Sequence, residues 1–194
     1  EEQRLRLTAQ AVAEIRQIDP RTPIVAAFDQ PWGEYLARND ALPPLHLADM
    51  LVRADLGLSG VGIEINVGYY PAGTMFHDLL EYSRRLDQWS LLGLPLMATF
   101  SHPSAMPSGP ESGKAGDKNA LLGLPQDHSP EKQARWIEEF IPLLLAKNCV
   151  QVLSWNQLRD DDSSKFPFGG LFDASGRPKP AIAALTKIRR EFLA

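Results

Sequence analysis

The chain has 194 residues, 44% of them apolar and 23% charged, enough for a sizeable core in one ordinary soluble domain. A formal charge of -4 and scattered Lys and Arg exclude a polyanion as the expected partner, because nucleic acid binding needs a concentrated basic surface. No apolar run approaches the length of a membrane span, and the single cysteine, Cys149, reads as a small core residue.

In chain order, "RLRLTAQAVAEIRQIDP" predicts an opening helix with Leu5, Val12, Ile15 and Ile18 near one face and Asp19-Pro20 as its stop. "TPIVAAF" predicts a short buried strand, followed by the loop "DQPWGEYLARNDALPP". A helix over residues 45–55 leads to a second strand over residues 60–67. The next helix lies in "FHDLLEYSRRLDQWSLLG", turning Leu79 and Leu86 inward, and Gly93 ends it before the strand "LPLMATF". A polar loop rich in Gly, Ser and Pro spans residues 101–128. Ser129 as N-cap and Pro130 at the first helical position start a helix with Ile137, Phe140, Ile141 and Leu144 on its apolar face. "CVQVLSW" is the fourth strand, and after a long loop Pro180 opens a last helix through Ile182, Leu185, Ile188 and Phe192.

Helices and apolar strands alternate four times, the pattern of an α/β fold with a parallel sheet. Two architectures fit, an open doubly wound sheet and a (β/α)8 barrel. No GxGxxG or Walker sequence follows a strand, which weakens a nucleotide-binding reading. Aromatic and polar residues gather instead at each strand's carboxyl end. They are Asp29, Trp32, Glu34 and Tyr35; Asn66, Tyr69 and Tyr70; Ser101 and His102; and Trp155, Asn156, Asp160 and Asp161. In a barrel such ends form one active-site face.

"VLSWNQLRDDDSS" and "GGLFDASGRPKPAIAAL" together resemble the last βα unit of family-ten glycoside hydrolases, the endo-β-1,4-xylanases. "LSGVGIEINVGYY" resembles their sixth strand, "LLEYSRRLDQWSLLGLPLMAT" the helix and strand leading to Ile-Thr-Glu, and "AEIRQIDPRTPIVAAFD" the helix before strand five. The resemblance implies that residues 1–194 are the carboxyl-terminal half of a TIM barrel, strands five to eight, completed by an amino-terminal half in another segment or chain. It implies a β-linked, xylan-type polysaccharide as ligand, no cofactor, and an extracellular or periplasmic location. Aligned on Leu-Pro-x-x-Ile-Thr-Glu, "LPLMATF" puts Phe100 at the nucleophile's position, and Glu64 and Asn66 stand where the family has Gln and His. A retaining glycosidase needs two carboxyls about 5 to 5.5 Å apart, which a phenyl ring does not supply.

Glu64, inside an apolar strand, is then either a relocated nucleophile or sugar clamp, or a buried acid paired to a neighbouring base. Glu34 is the second catalytic carboxylate, against the plainer reading of a loop acid. Trp155, Trp32 and Tyr69 are stacking platforms for sugar rings or simple packing. Asn66, His102, Asp29, Asn156 and Asp160 complete the expected substrate-binding set. His46, His77, His102 and His128 lack metal-ligand spacing, and Asp160, Asp161 and Asp162 do not match a calcium loop, so no metal is expected. The rival readings are a catalytically inactive carbohydrate-binding or scaffold barrel, and a different chemistry on the same architecture.

Overall fold

The computed structural model describes residues 2–34, 42–69, 73–105, 128–161 and 164–193. The elements are α1 (Glu2–Ile18), β1 (Val25–Phe28), α2 (Pro44–Arg53), β2 (Gly60–Asn66), α3 (Leu79–Ser90), β3 (Leu96–Ser101), α4 (Pro130–Leu145), β4 (Val150–Trp155) and α5 (Pro180–Phe192). The four strands pair in parallel, in the order β1-β2-β3-β4, with a helix in each connection. Sheet order therefore follows chain order, without the reversal that marks a doubly wound sheet.

Local chemistry sets the boundaries. Asp78 accepts a hydrogen bond from the Glu81 amide at 2.8 Å to start α3, and Ser129 accepts one from the Lys132 amide at 3.2 Å to start α4. Pro130 and Pro180 occupy the first turns of α4 and α5, where a missing N–H costs nothing. After α3, Gly93 turns the chain into β3 with φ 71°, a conformation that other residues reach only with strain.

The core lies between the sheet and its helices. Val61, Ile63 and Ile65 of β2 and Leu96, Ala98 and Phe100 of β3 are buried with Leu86 and Trp89 of α3 and Ile137, Phe140 and Leu144 of α4. Side chains alternate along a strand, so Gly62, Glu64, Asn66, Met97, Thr99 and Ser101 face away from this helical layer. We call this the inner face.

Several expectations are corrected. In α1 only Val12 is buried, and Ile15 and Ile18 are exposed, because this helix precedes the first strand and packs beside α2. Leu79 and Phe192 are exposed as well, each at a helix end, whereas Leu86 is fully buried. Trp89 and Trp136 are core residues. Cys149 packs against the core, where burial pushes its thiol pKa up. Tyr35, Tyr70, Asp162 and residues 106–127 of the long polar loop lie outside the described residues. Among the described residues no helix is long and apolar enough to cross a membrane.

Candidate functional site

The register assembles a polar constellation at the carboxyl ends of three strands. Glu64, Thr99 and Ser154 are partners across β2, β3 and β4, and Asn66 pairs with Ser101 one level higher. Asn156 follows directly on β4. Asn66 Oδ1 accepts hydrogen bonds from Ser101 Oγ and Asn156 Nδ2, both at 2.8 Å, and Asn66 Nδ2 donates to Glu64 Oε2 at 3.2 Å. With its oxygen held by two donors, the amide is oriented so that its NH2 group faces the carboxylate. Thr99 and Ser154 share a hydrogen bond of 2.8 Å between their hydroxyls. Asn66 and Ser101 are fully buried, whereas Glu64 and Thr99 are half-buried and Ser154 is exposed. An oriented carboxylate level with two hydroxyls can accept and donate hydrogen bonds to a polyol, or serve as acid, base or nucleophile.

Glu34 lies elsewhere. Its Oε1 accepts from the Met75 amide at 3.0 Å and sits 3.7 Å from His77 Nε2, and its side chain is only 6% exposed. The adjacent Thr74 amide donates to the Asn66 carbonyl at 2.8 Å. Glu34 therefore bears on the constellation by holding the backbone that abuts Asn66.

The aromatic residues are engaged in packing. Trp155 meets Phe100 edge-on at 5.2 Å and donates from Nε1 to the Gly169 carbonyl at 2.7 Å. Trp32 lies 6.3 Å from Tyr82, with the Arg85 guanidinium 5.7 Å above its ring. Tyr69 is buried against Phe166 at 5.0 Å and donates to the Pro167 carbonyl at 2.9 Å; burial pushes its hydroxyl pKa far above the ordinary value.

Phe100 is also a core residue, in ring contact with Trp136, Phe140 and Trp155. It faces the helices, so the expectation that it stands in place of an attacking carboxylate is corrected. The β3 positions on the inner face are Thr99 and Ser101, one residue to either side, since a shift of one residue reverses the face. The same alternation turns His102 outward. Its ring stacks on Trp136 at 5.1 Å, its Nδ1 lies 3.0 Å from the Pro103 carbonyl, and burial lowers its pKa to about 4. Asp29 is exposed, with Lys165 at 3.9 Å. Asp160 forms a buried ion pair with Lys179 at 2.7 Å and accepts from the Gly170 amide at 2.8 Å, tying the loop after β4 to the start of α5.

Of the expected site residues, Glu64, Asn66 and Asn156 are therefore brought together, and Glu34, Trp155, Trp32, Tyr69, His102, Asp29 and Asp160 are placed around or behind them. Thr99 and Ser154 escaped sequence reasoning, although counting by two from Ser101 on one strand and from Asn156 on the other would have found both. Among the described residues no three His, Cys, Asp or Glu side chains gather as metal ligands. A cavity of about 650 Å³ lies near Ser104, Glu131, Arg177 and Lys179, but no residue of the constellation lines it.

No protein-family model matches the chain, and no curated protein matches it. Its fold is nonetheless that of solved glycoside hydrolases. Xylanase 10B from Thermotoga petrophila RKU-1, solved with xylobiose, superposes with a TM-score of 0.64 at 16% identity over 96% of this chain and 52% of that one. A GH10 endoxylanase from a sugarcane soil metagenome gives 0.60 at 20% identity over 93% of this chain and 53% of that one. A GH2 β-galacturonidase from Eisenbergiella tayi bound to galacturonate gives 0.65 at 14% identity over 98% of this chain and 31% of that one. The chain thus spans about half the length of the xylanases.

Proposed function

We propose that residues 1–194 form the carboxyl-terminal half of a (β/α)8 glycoside hydrolase barrel, strands five to eight in family-ten order, with Glu64 acting on a β-linked, xylan-type saccharide. The observation that carries this reading is Glu64 itself. It is the only acidic residue within the four strands, it lies on the inner face near a strand end, and Asn66 orients it beside Thr99 and Ser154. The two-carboxylate mechanism then takes its second carboxyl from an amino-terminal half, about 5 to 5.5 Å away for retention. A protein acting on such polymers works outside the cytoplasm, in the extracellular or periplasmic space. In the protein carrying both halves, Glu64→Gln is expected to lower kcat on an aryl β-xyloside by about a thousandfold or more. Unchanged turnover overturns the catalytic role.

One observation favours a second reading, a barrel that binds saccharide without cutting it. Glu34, the other expected catalytic acid, is buried and bonded to the Met75 amide. That reading expects calorimetric binding of xylo-oligosaccharide with no product on long incubation. Reducing-sugar release abolished by one carboxylate substitution rejects it.

A further inference from the structure

The chain beyond β2 folds back on the end of its own strand. The Thr74 amide donates to the Asn66 carbonyl at 2.8 Å, the Gly68 amide donates to the Thr74 carbonyl at 3.1 Å, and Val67 and Thr74 form a parallel bridge. Gly73 is pressed against Asn66 as well. A Cβ at Gly73 would stand 2.4 Å from the Asn66 carbonyl oxygen and 3.0 Å from Asn66 Cβ, so a larger residue there displaces one backbone or the other. Asn66 and Thr74 are both fully buried, which gives this contact the rigidity of a packed core.

Glu34, from the loop after β1, holds the far side of this return. Its Oε1 accepts from the Met75 amide, next to Thr74, and stands 3.7 Å from His77 Nε2. His77 is itself packed edge-on to Tyr82 at 5.6 Å. A buried carboxylate must be matched by donors, and those beside Glu34 belong to residues 75–77. A series of contacts therefore runs from the β1 loop to the inner face. Glu34 holds Met75, Thr74 holds the Asn66 backbone, and the Asn66 side chain donates to Glu64 Oε2. Ser101 and Asn156 fix the rotation of the Asn66 amide, while residues 73–75 fix the backbone that carries it.

We propose that Glu34 is a positioning residue for Glu64, acting through Met75, Thr74 and Asn66, and is not a second catalytic carboxylate. The proposal rests on the catalytic role of Glu64 given above and adds what keeps that carboxylate in place. A reacting group performs only within a narrow range of positions, and a displacement of about 1 Å costs on the order of a hundredfold in rate. The loop after β1 thus contributes to the rate without touching the saccharide.

Two measurements on the protein carrying both halves test this. Glu34→Ala removes the acceptor for the Met75 amide, and Gly73→Ala forces a Cβ against the Asn66 carbonyl. Each should lower kcat on an aryl β-xyloside by about tenfold to a hundredfold and leave KM within about twofold. Glu34→Gln, which keeps an acceptor for the same amide, should recover most of the loss. A Gln variant as slow as the Ala variant overturns positioning, because the carboxylate itself is then required; an unchanged kcat in both alanine variants overturns it too. The second measurement needs no turnover. With 15N-labelled asparagine, the Asn66 side-chain amide signals, assigned by their loss in Asn66→Asp, should move in Glu34→Ala and Gly73→Ala and return in Glu34→Gln. Signals that stay in place in both alanine variants overturn the proposal. Signals that move as expected in a protein that Glu64→Gln does not slow overturn the catalytic role of Glu64 and leave the positioning of its carboxylate standing. If Glu34→Ala fails to fold, Gly73→Ala carries both measurements.

Discussion

Asn66 and His102 belong to neighbouring strand ends and show how one residue of phase decides a side chain's task. Asn66 faces inward and arranges Glu64, whereas His102 faces the helices and is kept neutral by burial, with a pKa of about 4. Below about pH 6.5 the unfolded chain binds a proton on this imidazole that the folded chain refuses until about pH 4. The unfolded state binds more protons in that window, so stability falls as pH drops through it, by up to about 3 kcal/mol. His102→Phe, which keeps a ring against Trp136, should flatten the fall in Tm between pH 7 and pH 4.5; an unchanged slope assigns it to other groups. The sequence named Glu64, Asn66 and Asn156 because polar groups at strand ends of an apolar sheet stand out. It misplaced Phe100 and His102 because their facing depends on a register that only strand pairing fixes.

Among the elements, the strand ends are held by one buried ion pair. Lys179, at the N-cap of α5, binds Asp160 at 2.7 Å and Ser104 Oγ at 2.8 Å, joining the loops after β3 and β4. Lys179→Met leaves the Asp160 carboxylate buried without its partner and should cost about 3 to 5 kcal/mol in urea unfolding. Adding Asp160→Asn, which keeps an acceptor for the Gly170 amide, should restore much of that loss; a double variant no better than the single one removes the ion pair as the cause. Most elements were legible beforehand, since Ser129, Pro130, Gly93 and Pro180 mark boundaries by local chemistry. Burial on α1 was not, because its periodic pattern says nothing about which neighbour is there to cover it. The ion pair lies 19 residues apart in sequence, with no period to reveal it.

For the whole molecule, four parallel strands with helices against one face leave a second face and two edges without a partner among the described residues. Parallel sheets are ordinarily covered on both faces. If further strands complete the barrel, the edge amides of β1 and β4 are paired in the complete protein and are expected to exchange hydrogen as slowly as those of the central strands β2 and β3. Fast exchange confined to β1 and β4 overturns closure. α/β class and the four described strands could be read from alternation alone, but closure could not, because an apolar strand pattern does not say what pairs with the edges of the sheet.

If further strands complete the barrel, the level beneath Glu64 imposes a rule on them. Ala27, Gly62, Met97 and Val152 are partners across the sheet, so side-chain bulk at this level sits on β3 and β4 and is nearly absent on β1 and β2. A side chain at Gly62 would be crowded, because a Cβ there stands 3.1 Å from that of Ala27, tighter than ordinary contact. A barrel interior is filled by interleaved layers of side chains, so a completing half is compatible only if it brings its largest inward residues to the β1 and β2 side. Size matching at this one level therefore discriminates between halves that close on this sheet and halves of the same fold that do not.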